Sequence, residues 1–419
     1  MPTYLVQEEL TTIEENLKNR SVSSLLDLPA ATNPVVQATI ELLVILDPPT
    51  YIISDVELYN FVSLKAVSLS LKYGNIFESI KAYINYGLLL VVTKNQYQRG
   101  LEFAEFALQL SYKLNSKSQQ SKVCLLLGAW IQVWEKPIQG AAEINYEGFL
   151  TGLNSGEIQF AGYNLFGNIC NRLFQGENLE NIALDIDKYY LIAQNLKHDI
   201  LLNILAACRF FINRLFRTLD QDESAQFITE EEAWLKGCKA SKSYLALSIY
   251  YILQIYQGCL TQSFNSTIDY IKAANKSLNS CMGFTTSSGY YYYGSLVLLN
   301  SYLSLPKAEK YNALKQIETN QIQLKSWSDS CPENFLHKYY LVEAEQSRIT
   351  GNKLEAIELY DNAITEAKEN KYIQEQALAN ELAAKFYLDW GKEKIAQTYL
   401  IEAYYCYKRW GPQAKIDDL

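Results

Sequence analysis

Apolar and small side chains in this chain recur at intervals of three and four. After Gly351-Asn-Lys-Leu-Glu-Ala356, the positions Ala356, Leu359, Tyr360, Ala363, Ile364 and Ala367 follow one another at offsets of 3, 4, 7, 8 and 11, the face of one helix. Gly391-Lys-Glu-Lys-Ile-Ala396 starts the same pattern 40 residues later, placing Ala396, Tyr399, Leu400, Ala403, Tyr404 and Tyr407 on the matching positions. A second helix is predicted between them at 372–390, rich in alanine at Ala377, Ala379, Ala383 and Ala384. Two helices per unit of about 40 residues make a helical-hairpin repeat. Its alanines admit a neighbouring helix closely, while tyrosine and leucine fill the gaps.

The same opening recurs upstream. Gly74-Asn75 is followed by Ser79 and Gly156-Glu157 by Ala161, and these two starts lie 82 residues apart, two units of about 41. Helices are predicted near 97–115, 117–135 and 139–153, and the helical rhythm continues without a clean repeat from about 178 to 330. There is no proline between Pro49 and Pro137, nor between Pro137 and Pro306. Proline is excluded from helix interiors because it lacks the N–H and collides with the preceding turn. Ser54-Asp-Val-Glu57, Thr229-Glu-Glu-Glu232 and Ser330-Cys-Pro-Glu333 have the spacing of a capping box and predict helix starts. The expected fold is all-α, a helical-hairpin solenoid. It divides into a cap region over 1–60, repeats over 61–177, irregular helical repeats over 178–330 and C-terminal repeats over 331–419.

Composition narrows the chemistry. The 419 residues carry a net charge of −9, without the basic face that nucleic acid or an anionic membrane requires, so neither is expected as a partner. The histidines, His198 and His337, lie far apart, and Cys124, Cys170, Cys208, Cys238, Cys259, Cys281, Cys331 and Cys406 include no C-x-x-C pair. No zinc-ligand spacing results, and no metal or cofactor is expected. Eight unpatterned thiols in apolar stretches read as buried side chains of a cytoplasmic protein. Residues 243–268 and 277–306 are uncharged, but Gln254, Gln257, Gln262, Ser287, Ser288 and Asn300 interrupt them. A bilayer span needs about 20 predominantly apolar residues, so both read as buried helices. The N-terminus has no basic run ahead of an apolar one, so no signal peptide is expected.

The spacing of Gly351, Ala356 and Ala363 resembles that of the tetratricopeptide repeat, with units longer than the usual ~34 residues. Further stretches resemble a larger family. They are Leu26-Asp-Leu-Pro29, Leu71-Lys-Tyr-Gly-Asn75, Tyr83-Ile-Asn-Tyr-Gly87, Trp134-Glu-Lys-Pro137, Gly156-Glu-Ile-Gln-Phe-Ala-Gly-Tyr163, Ala377–Tyr387, Trp390-Gly-Lys-Glu-Lys-Ile-Ala-Gln397 and Tyr407-Lys-Arg-Trp-Gly411. Together they look like the helical middle region of large multi-sensor hybrid signal-transduction kinases. The resemblance implies a Ser/Thr kinase and a signalling ATPase of the AAA/STAND type on one side of such a region, and a GAF sensor and a histidine kinase on the other. The family's catalytic parts are not in this stretch. No G-x-x-x-x-G-K-[ST] loop, H-R-D, D-F-G, G-x-S-x-G or H-E-x-x-H motif occurs.

The remaining constellations are weaker. Asp185 with Asp187, and Glu230-Glu-Glu232, read as solvated charge, and His198 and His337 as solvated or locally hydrogen-bonded. Trp130 and Trp134 read as a core seam. Tyr290, Tyr291, Tyr292 and Tyr293 point around the whole circumference of a helix. They either pack between helices or, with Tyr405 and Trp410, form an anchor surface for a partner. The expectation is a non-catalytic scaffold with a concave binding surface. Its partners would be proteins or flanking domains of the same polypeptide, with self-association through the aromatic C-terminal helix. The alternative is a sensor or enzyme with a pocket in 178–330.

Overall fold

The structure, a computed structural model, describes residues 3–18, 20–52, 56–216 and 221–419. Among these the regular elements are helices, apart from one isolated parallel bridge between Ala30 and Asn75. The fold is all-α and built of helical hairpins, in two compact units: Met1–Glu135 with Gly140–Asn168, and Lys136–Gln139 with Ile169–Leu419.

Unit 1 holds α1 (Thr3–Leu17), α2 (Pro34–Ile52), α3 (Val56–Tyr73), α4 (Phe77–Lys94), α5 (Tyr97–Lys113), α6 (Lys117–Leu126), α7 (Ala141–Ser155) and the first part of α8 (Ile158–Gln175). The pairs α2/α3, α4/α5 and α6/α7 are hairpins, and α1 lies on α3. Helix α2 opens with Pro34 behind Asn33, whose Oδ1 accepts the Val35 N–H at 2.9 Å. That side chain satisfies a donor that has no partner inside the helix. The start predicted at Ser54 falls on residues outside the described ones, just ahead of α3.

Three of the sequence stretches quoted above meet at Asn75, which is buried. Its N–H donates to Pro29 O at 3.0 Å and its Nδ2 to Leu25 O at 3.2 Å, while Tyr83 Oη donates to its Oδ1 at 2.9 Å. Gly74 sits at φ 107°, and a Cβ there would stand 2.2 Å from Pro29 O. No side chain fits that corner.

The helix predicted at 117–135 is present but changes pitch. Beyond α6 comes a π-helical turn over Leu127–Ile131 and a 3₁₀ turn over Gln132–Trp134. A π turn displaces the i→i−4 ladder and leaves carbonyls to be satisfied from elsewhere. Asn145 of α7, fully buried, supplies its Nδ2 to Cys124 O at 3.0 Å and Leu125 O at 3.4 Å. Trp134 is buried and donates its Nε1 to Trp130 O at 2.7 Å, and Trp130 packs edge-on against Phe166, so this pair lines a core seam.

Unit 2 takes the end of α8 and then α9 (Leu179–Leu196), α10 (Asp199–Phe216), α11 (Gln221–Ala240), α12 (Tyr244–Leu260), α13 (Phe264–Ser277), α14 (Ser287–Ser301), α15 (Lys307–Ser330), α16 (Pro332–Thr350), α17 (Lys353–Glu369), α18 (Ile373–Asp389), α19 (Glu393–Trp410) and α20 (Gln413–Asp418). The alternate helices α10, α12, α14, α16 and α18 touch in sequence as an inner row, and α20 returns onto α10. Gln374 Nε2 donates to Phe174 O at 3.0 Å, Asn178 Nδ2 to Arg409 O at 3.0 Å, and the Ile138 N–H to Asn334 Oδ1 at 3.0 Å. First and last elements of unit 2 therefore meet. Within this unit the concave face expected of an open superhelix is filled by its own side chains.

The 40-residue register places Ala356, Tyr360, Ala363 and Ala367 with Ala396, Ala403 and Tyr407 in the core, while Tyr404 is exposed. The uncharged stretches form α12 and α14, buried on nearly every side. Two predicted starts need correction. Thr229–Glu232 lies inside α11, and at Ser330–Glu333 the helix begins at Pro332 with Cys331 as its cap. All eight cysteines are buried, and burial raises the thiols of Cys124, Cys259 and Cys281.

Candidate functional site

Helix α18 is enclosed from Gln374 to Phe386 save Lys385, yet it carries Gln374, Glu375, Gln376, Asn380 and Glu381. A helix buried all round is ordinarily apolar all round. Charges placed there need partners, because an unpaired buried carboxylate is far costlier than a paired one.

Glu375 finds them on the inner row. Lys338 of α16 donates its Nζ to Glu375 Oε2 at 2.7 Å, His337 Nε2 bonds the same oxygen, and Tyr293 Oη of α14 donates to Oε1 at 3.1 Å. His337, Lys338 and Glu375 are all buried, and the Lys338 ammonium lies 4.2 Å from the centroid of the Tyr372 ring. Burial, reinforced by the neighbouring Lys338 charge, lowers the His337 pKa to about 4. The ring is therefore neutral near pH 7, and Lys338 Nζ stands 2.9 Å from the same Nε2 that meets Glu375. The ring's Nδ1 finds no hydrogen-bond partner among the described residues. Burial also lowers Lys338. On Glu375 burial acts upward, and Lys338 and His337 outweigh it, holding the carboxyl below its usual range.

Glu381, two turns further on, has a second set. Lys415 Nζ of α20 donates to Oε1 at 2.7 Å, Lys385 Nζ to the same atom at 2.5 Å, and Gln262 Nε2 to it at 2.8 Å. Tyr407 Oη donates to Oε2 at 2.8 Å. Outside α18, Glu345 takes Arg348, Asn300 and Tyr360, and Glu231 takes Arg214, Tyr250 and Gln254. These carboxylates tie helices together. Removing one partner of a buried pair typically costs about 3–5 kcal/mol where the other charge is left uncompensated.

The predicted residues are distributed unevenly. Tyr290, Tyr292, Tyr293 and Trp410 are buried, and Tyr291 is half-buried with its ring edge-on to Trp327. Packing by α12, α13, α15 and α16 covers most of α14, so Tyr290, Tyr292 and Tyr293 lie in the interior of unit 2. Of the six candidates only Tyr405, 57% exposed beside Tyr404, stands in solvent. His337 is buried instead of solvated, and its Nε2 meets both the neighbouring Lys338 Nζ, at 2.9 Å, and Glu375 of α18. His198 is buried at the turn before α10, where its Nδ1 accepts the Leu201 N–H at 3.1 Å. Asp185 pairs with Arg172, and Glu231, expected on a solvated face, is buried.

Sequence reasoning missed Glu375, Lys338, Glu381 and Lys415. The available signal was polar residues on every face of a helix otherwise made of alanine and leucine. In the 178–330 segment, a depression of about 180 Å³ is lined by Ala183, Ile186, Asp187, Arg209, Ile212 and Asn213 of α9 and α10. Among the described residues no group of three or more His, Cys, Asp or Glu side chains is placed to hold a metal ion, and no helix is long and apolar enough to cross a membrane.

No family model matches the chain. A stretch of 97 residues is 42% identical to a hybrid signal transduction histidine kinase, G, of Dictyostelium discoideum. The matched stretch is 23% of this chain and spans 3% of that protein's length. Part of this chain is thus similar to part of a signalling kinase.

Proposed function

We propose that this chain is a non-catalytic helical-repeat module of a signalling kinase, corresponding to the helical middle region of multi-sensor hybrid kinases. In this reading it works in the cytoplasm through protein partners or flanking domains of the same polypeptide. It passes conformational change between a nucleotide switch and downstream sensor and kinase domains. The observation that carries the proposal is the 42% identity over 97 residues to a hybrid signal transduction histidine kinase. The filled interior of unit 2 agrees with it. Inner-row carboxylates there are saturated by lysine, histidine and tyrosine from neighbouring helices, leaving rigid packing to transmit displacement. Tyr404 and Tyr405 offer an exposed aromatic surface for self-association.

The competing reading, a small-molecule sensor or enzyme with its site in 178–330, rests on the α9–α10 depression. At about 180 Å³ it is smaller than the ~300–1,000 Å³ of ligand pockets. The deciding experiment is an autophosphorylation assay on the longer polypeptide carrying the kinase domain, with residues 169–419 intact or deleted. A changed rate at unchanged ATP affinity supports the module. Equal rates, or a reading frame without a kinase, overturn it.

A further inference from the structure

Helix α20 is six residues long and could not persist by its own hydrogen bonds, since isolated helices below about 12–15 residues are marginal in water. It is held by what it touches. Of its residues only Lys415 is buried, 3% exposed, while Ala414 and Ile416 are half-buried and the other three exposed. The Lys415 ammonium enters the site around Glu381 and lies 5.8 Å from the Tyr407 ring centroid. A corner at Gly411 (φ 106°), followed by buried Pro412, sets the direction of entry.

The receiving carboxylate does not depend on Lys415. With that lysine withdrawn, Glu381 keeps Lys385, Gln262 and the Tyr407 hydroxyl, so no uncompensated charge is stranded. Lys415, for its part, regains hydration. The penalty that makes an ordinary buried ion pair hard to open is therefore small here. Undocking would uncover the buried Tyr407 ring that Lys415 faces and the parts of α10 and α19 against which α20 rests.

We propose that α20 is a releasable latch: Lys415 plugs a preformed acidic socket at Glu381, and its withdrawal opens this side of unit 2 while the remaining hairpins stay folded. The latch is independent of the kinase reading, since it rests on contacts within unit 2 alone.

The test is hydrogen exchange read by mass spectrometry on the full chain, comparing wild type, Lys415→Met and Lys385→Met. In wild type, amides of 411–419 are expected to be protected. In Lys415→Met their exchange, with that of the facing part of α10, should rise by about tenfold or more, while α16 and α17 are unchanged. Lys385→Met removes the more exposed partner of the same carboxylate and should leave 411–419 within about twofold of wild type. An unprotected segment in wild type, no change in Lys415→Met, or equal acceleration in both variants overturns the latch. So does acceleration across all of unit 2, which would make Lys415 a core residue.

Discussion

The rings of Tyr256 and Tyr293 lie face to face, centroids 3.9 Å apart and planes 10° from parallel. Trp410 continues the pile at 6.0 Å from Tyr256. Aromatic pairs left to themselves favour offset or edge-on arrangements, so the surrounding helices impose this one. The stack joins α12, α14 and α19. Tyr256→Ala is expected to cost about 3–5 kcal/mol, read in urea as a lowered midpoint for unit 2. An unchanged midpoint would mean that the stack holds nothing together.

Acid should weaken unit 2 over a defined window. The His337 pKa is lowered to about 4 in the fold, against an ordinary value near 6.5. Between those values the unfolded chain binds a proton that the folded chain refuses. Stability is thus full above about pH 6.5 and falls as pH drops toward 4, by on the order of 3 kcal/mol. Glu375, held below the usual carboxylate range, adds a loss of the same sign at lower pH. Urea titrations at pH 7 and pH 5 should show the difference, and His337→Asn should flatten the slope between them. A slope identical in wild type and variant would remove His337 as its source.

Asn75→Ala deletes the side chain on which the Leu25 carbonyl and the Tyr83 hydroxyl converge. The buried Tyr83 hydroxyl then loses its acceptor, while Leu25 O keeps the Leu28 N–H, at a cost of about 1–3 kcal/mol. The effect should appear in unit 1 alone. Limited proteolysis is a second readout, with cleavage expected to appear first around residues 22–31.

Ala363 is buried on α17 at the seam with its neighbours. Ala363→Leu should overpack that seam by about 1–3 kcal/mol and lower the thermal midpoint. Ala363→Ser, nearly isosteric, provides the control. A leucine variant as stable as wild type would mean that the 40-residue register misplaces this position.

Periodicity sufficed for much of the helical architecture. The helices predicted at 97–115, 139–153 and 372–390 appear as Tyr97–Lys113, Ala141–Ser155 and Ile373–Asp389. Apolar spacing is a local property and survives without knowledge of partners. The charged interior was not legible for the opposite reason. Glu375 meets Lys338 across 37 positions and Tyr293 across 82, and no local pattern announces either meeting. The same blindness read His337 as solvated or locally hydrogen-bonded without its bond to Glu375, and left open whether Tyr290–Tyr293 reach a surface. A helix with tyrosine on every side must expose some of them only if a side is left uncovered, and on α14 only Tyr291 of the four is as little as half-buried.

Repeat arrays whose units touch only their neighbours begin folding at any point and grow by accretion, and their stability scales with the number of units. Unit 2 has forfeited that behaviour. Ile138 is bonded to Asn334 across 196 positions, and Gln139 to Asn370 and Asn178 to Arg409 across 231 each. Contacts this distant require a long loop to close before they reward the chain, which slows the search for the native state. Once made, they leave no repeat at the end of a line. A fragment shortened by one hairpin from either side would lose a wall of the common interior, and would melt as a poorly ordered remnant instead of a slightly shorter version of the whole.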